Sequence, residues 1–514
     1  MNNWTAGYVS DIGYTFGYYN EVNPLRAKLA FLNAGYAPPV DSGCHCELGF
    51  GQGISINIHA AASGSLWYGT DFNPSQAAFA QSLATASGAN LHLTDLDFLS
   101  FTNLKNLPDF DSISLHGIWS WISDENRTVI VNFIKSKLKV GGFLYISYNT
   151  LPGWSNFAPI RHLLFQHASI IGSEGQGTAS RVSQSLNFTQ DFLELSSHYS
   201  SNNPQVISKF SQIKNQDVHY LAHEYFNKDW QPMYFSDVAN MLGAAKLSYI
   251  CSGNYLDHID AINLTNEQLN YLNSIKDVYF KQTVLDFIVN RQFRRDYWIK
   301  GPINISVSER EKGIKDLSVI LITNKNDISF LIKGILGEAS LNSTVYNPLI
   351  EELSNHESTS IDYLTTRLHK HNILFNQILE AIMILIGAGH VALVQNSERT
   401  ISSIKFTDQL NSFIIKKNYF DNNLNYLASP ITGGGVHVSK FELMFLNAIL
   451  NGKSLPSEWA TFVFNSLSVQ NQKLIKDGVA LESEEEIFNE LTKQANDFST
   501  KRLPLLISLK TVNF

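Results

Sequence analysis

Between Cys44 and Tyr148 the spacing of apolar positions keeps changing, and short apolar runs alternate with longer stretches whose apolar positions recur every third or fourth residue. The short runs CHCELG, LWYGTD, NLHLTD, FDSISLHG and FLYISYN predict strands. ISINIHAAAS, NPSQAAFAQSLATASG and DENRTVIVNFIKSKLKVGG predict helices, the second with Pro74 near its first turn, the third capped and ending in glycine. Repeated strand–helix units build a parallel sheet with helices on both faces, and ligands then bind beyond the carboxyl ends of the strands.

After about residue 165 the rhythm changes. The region from Arg161 to about Ile305 is helical and aromatic, with HYLAHEYFNKDWQPMYFSDVANMLGAAKLSYI at its centre and RQFRRDYWIKG at its end. Between about 306 and 400, IDYLTTRLHKHNILFNQILEAIMILIGAGHVALV reads as helices followed by a short apolar strand, a winged-helix-like pattern. The last part holds YLASPITGGGVHVS, whose Gly433 to Gly435 suit a hairpin turn, and the helix SEEEIFNELTKQANDF with a Ser483–Glu486 capping box.

Length changes this picture by demanding several cores, because 514 residues exceed what one usually supports. A net charge of −8 argues against a dedicated nucleic-acid binder and suits a lysine-rich partner. Three cysteines, Cys44, Cys46 and Cys251, cannot frame a chain this long with disulfides, which fits a reducing compartment. The start, MNNWTAGYVS, has neither the basic nor the apolar segment of a secretory signal. The run from Ile378 to Val394 is 17 residues long and carries Glu380 and His390, too short and polar for a membrane span. A cytoplasmic protein is expected.

The chemistry concentrates in CELGFGQGIS, Cys46 to Ser55, where Gly49, Gly51 and Gly53 alternate after an acid. Such a turn can cradle a dinucleotide pyrophosphate or the amino-acid part of S-adenosylmethionine. A dinucleotide loop needs G-x-G-x-x-G, and here the third glycine comes one place early. With Glu47 two positions before Gly49, the segment instead resembles the E/D-x-G-x-G-x-G loop of class I S-adenosylmethionine-dependent methyltransferases. The resemblance implies that Glu47 faces the cofactor's ammonium and that Asp71, 24 residues on, accepts from both ribose hydroxyls. It also implies that Phe72 contacts the adenine face and that Asp95, with Leu96, serves the adenine edge.

The flanking segments narrow the resemblance. SYNTLPGW, LHGIWSWIS, DIGYTFGYYNEVNPLRAKLAFLNAGYAPP, YLAHEYFNKDWQPMYF, QFRRDYW and YLASPITGGGVHV resemble bacterial methyltransferases with an appended regulatory domain, and among these the lysine methyltransferases acting on outer-membrane proteins. Phe50 departs from the small or cysteine residue of many relatives. The family implies an α/β fold: a Rossmann-like catalytic core with N-terminal lid over 1–165, a helical regulatory domain over 166–305 that can mediate dimerisation, a winged-helix-like domain over 306–400 and a C-terminal domain over 401–514. Its expected partner is a lysine-bearing protein, with S-adenosylmethionine as cofactor and no DNA.

Aromatic side chains at the strand ends suit a buried amine. Tyr14, Phe16, Tyr18 and Tyr19 precede the first strand, Trp119 and Trp121 follow the fourth, and Tyr148 and Trp154 bracket the end of the fifth. Tyr14, Trp119 and Tyr148 are the expected catalytic aromatics, with His116 to shape the nucleophile site or accept a proton. No metal is expected. His219, His223 and Glu224 lack the second zincin histidine, and Cys44 and Cys46 have no second pair. Arg294 and Arg295 read as an interface salt bridge. A small-molecule or RNA methyltransferase is the alternative, although neither an N/D-P-P-Y/F motif nor a well-placed cysteine supports it.

Overall fold

A computed structural model describes residues 5, 7–13, 15–195, 197–421, 424–469, 472, 474–476 and 479–513. Seven strands form its main sheet: β1 Cys44–Leu48, β2 Leu66–Thr70, β3 Leu91–Thr94, β4 Phe110–Leu115, β5 Leu138–Asn149, β6 Leu247–Ser252 and β7 Phe293–Lys300. Their order across the sheet is β3-β2-β1-β4-β5-β7-β6. The first five run parallel, whereas β7 is antiparallel to both β5 and β6. Segment 1–165 therefore does not complete the sheet, whose last two strands come from residues 247–300.

The helices that follow the early strands arise from local chemistry. Helix α1, Pro24–Asn33, precedes β1, and α2, Ile54–Ser63, follows it with all ten residues buried. This helix is enclosed by the sheet on one side and by helix Ser397–Asp421 and the Tyr426–His437 hairpin on the other. Its approach to β2 requires Gly69, where a Cβ would lie 2.8 Å from Ile56 Cδ1 and 3.0 Å from the Glu47 carbonyl oxygen. Helix α3, Pro74–Ser87, has Pro74 at its start and is capped by Asn73 Oδ1, which accepts from the Ser75 and Gln76 amides. After β3 comes the short α4, Phe98–Thr102, and after β4 comes α5, Asp124–Lys137. The expected glycine stop of α5 is not used. Leu138 is buried and pairs with Phe110, so the strand starts there, and Gly141–Gly142 lie where the β4–β5 register shifts.

Beyond the sheet, residues 307–394 contain helices Val307–Lys315, Ser343–Leu353, Ile361–Leu368 and Phe375–Gly387. They accompany a three-stranded antiparallel sheet in the order Thr359–Ser360, Ser318–Leu321, Val391–Val394. A two-stranded ribbon, Leu331–Gly334 with Gly337–Ser340, precedes the last three of those helices. The glycine-rich segment forms the expected hairpin, Tyr426–Ser429 with Gly434–His437. In helix Glu484–Asp497 the Ser483 hydroxyl accepts from the Glu486 amide, the serine half of the expected box. Among the described residues, no helix is long and apolar enough to cross a membrane.

Candidate active site

The loop from Gly49 to Gly53 joins β1 to α2 at the carboxyl edge of the sheet, and its three glycines do different jobs. All have left-handed φ, 72° at Gly49, 58° at Gly51 and 70° at Gly53. A Cβ on Gly49 would lie 2.3 Å from Ile118 Cδ1, and one on Gly53 would lie 2.4 Å from the Ala80 Cβ, so these two permit packing. Around Gly51 a Cβ would meet nothing within 4 Å. That glycine borders open space, and its amide donates to Asp71 Oδ2 at 2.8 Å. The other Asp71 oxygen accepts from the Asn73 amide at 3.0 Å.

The space beside Gly51 is a cavity of about 440 Å³. The strand ends of β1, β2, β4 and β5 form its floor, the N-terminal segment with Tyr8 and Tyr19 one wall, and Tyr220, Glu224, Asn227 and Asp229 another. Gln292 and Phe293 at the start of β7 complete it. Five carboxylates line this cavity, Glu47, Asp71, Asp97, Glu224 and Asp229, and among the described residues no lysine or arginine does.

Burial makes two of those carboxylates reluctant to ionise. Glu47 is 2% exposed and its Oε2 has no hydrogen-bond partner. Loss of solvent, reinforced by the nearby Asp71, pushes its pKa up to about 8. Asp71 rises to about 6 by desolvation, against the lowering effect of the Asn73 and Gly51 amides. A cationic ligand beside these groups would reverse both effects. The donor set thus fits a molecule carrying an ammonium and a sulfonium. It does not fit a pyrophosphate, which would meet carboxylates where it needs donors.

His116 lies at the end of β4, and its ring is stacked 3.5 Å from that of Tyr19 at an interplanar angle of 17°. Its Nδ1 is 2.8 Å from the Tyr145 hydroxyl. Desolvation, partly opposed by Glu21, lowers its pKa to about 4, so the imidazole is neutral and a weak proton acceptor near pH 7. It serves best as a platform for Tyr19. That tyrosine is held by its amide donating to Ser55 Oγ at 2.9 Å and by His59 Nε2 at 3.2 Å from its carbonyl oxygen. Its neighbour Tyr18 turns the other way and accepts from the Gly435 amide at 2.6 Å.

Of the residues expected from sequence, Glu47, Gly49, Gly51, Asp71, Phe72, Leu96 and His116 line the cavity. Gly53 only permits the α2–α3 approach. Asp95 is not a lining residue; Asp97 lines the cavity instead and also caps α4, accepting from the Ser100 amide at 2.7 Å. Trp119 and Tyr148 are wholly buried in the core beneath the site. Tyr148 faces away because neighbours along a strand alternate sides, and its hydroxyl donates to Asp296 Oδ2 at 2.9 Å. Trp121 and Trp154 line the cavity in their place. Tyr14 lies outside the described residues.

Several lining residues were not among the expected site residues: Tyr8, Asn149, Glu224, Asp229 and Phe293. His223 is a buried structural residue, its Nε2 3.0 Å from the Ile12 carbonyl oxygen. Among the described residues no cluster of His, Cys, Asp and Glu could hold a metal ion. Arg294 is enclosed with Asp286 and Asp296, at 2.7 and 2.8 Å, whereas Arg295 meets Glu21 at 3.2 Å.

Residues 217–300 match the family described as "Predicted methyltransferase regulatory domain". That segment contributes β6, β7 and the cavity wall from Tyr220 to Asp229. The uncharacterized protein sll1526 of Synechocystis is 36% identical over 510 residues, 98% of this chain and 99% of that protein. The uncharacterized protein RP789 of Rickettsia prowazekii is 24% identical over 512 residues, covering 92% and 88%. Among solved structures, PKMT2 from Rickettsia typhi in complex with AdoHcy superposes with a TM-score of 0.68 at 18% identity, covering 94% of this chain and 98% of that one. A second structure of the same protein gives a TM-score of 0.66, at 17% identity over 96% and 99%. The chain belongs to the family of the Synechocystis protein, it has the fold of the PKMT2 structures, and its residues 217–300 carry the match to a methyltransferase regulatory domain.

Proposed function

We propose that this protein is an S-adenosylmethionine-dependent protein-lysine N-methyltransferase. One observation carries the reading: a cavity at the strand ends with five carboxylates, aromatic walls and, among the described residues, no cationic side chain. Glu47, with its unpartnered Oε2, would hold the cofactor's ammonium, Asp71 its ribose, and Phe72 and Leu96 its adenine. Bound there, the cofactor supplies a methyl group activated on a cationic sulfur. The whole-chain likeness to PKMT2, whose structure holds AdoHcy, supports the same cofactor.

A lysine acceptor must arrive neutral. With a pKa near 10.4 only about one lysine in a few thousand is neutral at pH 7, which costs roughly 4 to 5 kcal/mol. Tyr8, Tyr19, Trp121, Trp154 and Phe293 remove water from the amine and so disfavour the ammonium, while their faces accept the methylated cation. The carboxylates at the cavity attract a cationic side chain and repel nucleic-acid phosphates, which weighs against an RNA substrate. The proposed substrate is an extended segment of an outer-membrane or surface protein, met in the cytoplasm. Three free, buried cysteines suit that compartment.

Product mapping tests the reading. The full chain incubated with methyl-labelled cofactor and unfolded outer-membrane proteins is expected to place label on lysine side chains, read by mass spectrometry. Label on RNA, a metabolite or glutamine amides would refute it.

A further inference from the structure

Tyr8 lines the cavity but does not belong to the sheet that forms its floor. Its ring meets that of Phe72 edge to face, with centroids 5.6 Å apart. Burial, reinforced by the nearby Asp71 and Glu224, keeps its hydroxyl protonated well beyond the usual phenol range. The chain around it is fastened elsewhere. The Gly7 carbonyl accepts from the Lys228 amide at 3.0 Å, and the Val9 amide donates to Asn227 Oδ1 at 2.8 Å. The Asp11 carboxylate accepts from the Thr178 amide at 3.1 Å and from the Thr178 hydroxyl at 2.7 Å. Thr178 stands in the first turn of helix Gly177–Glu194, so this carboxylate also meets the positive end of the helix. Ile12 completes a hydrophobic cluster with Leu164, Leu186, Phe210 and Leu221, which come from helices Ala158–Ile170, Gly177–Glu194, Pro204–Lys214 and Val218–Tyr225. That cluster is separate from those packed against the sheet. Residues 7–12 are thus a strap carried by the helical unit, and Tyr8 is where the strap reaches Phe72.

We propose that Tyr8 is a cofactor-binding residue, closing over the adenosine beside Asp71 and Phe72, and that Asp11 and Thr178 are the positioning residues that hold it there. The assignment rests on the cofactor reading. Its reason lies in which body carries the ring. A strap anchored on the sheet would make floor and cover one rigid piece. Here Gly51, Asp71 and Phe72 belong to the sheet side of the cavity, whereas the cover is held by the helical unit, so the two meet only where that unit docks. Tyr8 also supplies what the floor lacks. Asp71 would accept from ribose hydroxyls, and the protonated Tyr8 hydroxyl is a donor for an ether, hydroxyl or carboxylate oxygen. The same unit brings Tyr220 and Glu224 to the cavity, so one body shapes both the cover of the cofactor and a further wall of the site. Departure of the demethylated cofactor then requires the strap to give way, and its rate reports how firmly Asp11 and Thr178 hold.

The test follows release of tritium-labelled AdoHcy from the full chain, chased with unlabelled AdoHcy. Tyr8→Ala is expected to speed release about ten- to hundred-fold. Asp11 and Thr178 do not line the cavity, yet Asp11→Ala should speed release about three- to thirty-fold, with the association rate little changed. Asp11→Asn can keep both contacts with Thr178 and should stay within about two-fold of wild type. The decisive comparison is the double variant. If Asp11 acts by positioning Tyr8, Asp11→Ala adds nothing once Tyr8 is alanine, whereas general loosening of the fold multiplies the two effects. Should Asp11→Ala fail to fold, Thr178→Val, which removes the hydroxyl contact and keeps the amide one, takes its place in the same comparison. Wild-type release from Tyr8→Ala overturns the proposal, as does wild-type release from Asp11→Ala or the same factor for Asp11→Ala in both backgrounds. Wild-type protein that does not bind AdoHcy overturns the cofactor reading itself, a different result from binding with an unchanged release rate.

Discussion

Replacing Glu47 by Gln separates the cost of burying a carboxylate from its use. In the free cavity Glu47 titrates near 8 instead of its ordinary 4.5, chiefly through desolvation. A carboxyl whose folded pKa is raised contributes stability that is complete below the unfolded value and is lost as pH rises through the folded one. The window here runs from pH 4.5 to about 8, and across it the displacement corresponds to about 5 kcal/mol, of which about 3 is already lost at pH 7. Glu47→Gln removes that loss. The variant should therefore unfold at higher temperature than wild type at pH 8 to 9, with the advantage vanishing toward pH 4.5. Cofactor binding should respond in the opposite sense, because an ammonium beside Glu47 favours its ionised form. AdoHcy binding to wild type at pH 7 should release close to one proton, measured by calorimetry in two buffers of different ionisation enthalpy, and the variant should bind more weakly without that release. A wild-type unfolding profile parallel to that of Glu47→Gln from pH 5 to 9, together with buffer-independent binding enthalpy, would refute the reasoning.

Four further substitutions probe the frame around the site. Gly53→Ala forces a methyl against Ala80 at a left-handed φ and should cost about 2 kcal/mol or more of stability, seen as a lower denaturation midpoint. Gly51→Ala meets no protein atom, so beyond the about 1 kcal/mol strain of a left-handed φ its effect should fall on AdoHcy affinity. Tyr18→Phe leaves the Gly435 amide without its acceptor, which should cost about 1 kcal/mol and weaken AdoHcy binding by loosening Tyr19 next to it. Arg294→Met takes the guanidinium from the buried Asp286 and Asp296, leaving Asp286 only Arg291 at 3.0 Å and Asp296 the Tyr148 hydroxyl, and a loss of about 3 kcal/mol is expected in chemical denaturation.

Much of the proposed cofactor half of the site was legible because its signals are local. Alternation at period two and recurrence near 3.6 marked β1 to β5 and the helices between them, and three glycines at alternate positions announced the turn, whose φ is left-handed at each. Glu47 and Asp71 followed from the resemblance of the glycine loop and the next strand end to the methyltransferase pattern, which is local in sequence. Side-chain phase at those ends was less legible. Asp95 against Asp97, Trp119 against Trp121 and Tyr148 against Asn149 differ by one or two residues, and which member of each pair meets the cavity depends on where the strand stops and how the next turn begins.

The other half of the cavity belongs to tertiary structure. Strands β6 and β7 join the sheet from residues 247–300, more than 90 residues after β5 ends, and no local pattern states that pairing. Their arrival brings Phe293 opposite Asn149 and helps close the space that Glu224 and Tyr8 also line. The Gly433 to Gly435 segment read correctly as a hairpin, yet its contact with Tyr18 spans 417 residues of sequence. Periodicity reports which face of an element is buried. It cannot report against which distant element, because that choice is made by the shape and charge of surfaces that exist only after the chain has folded.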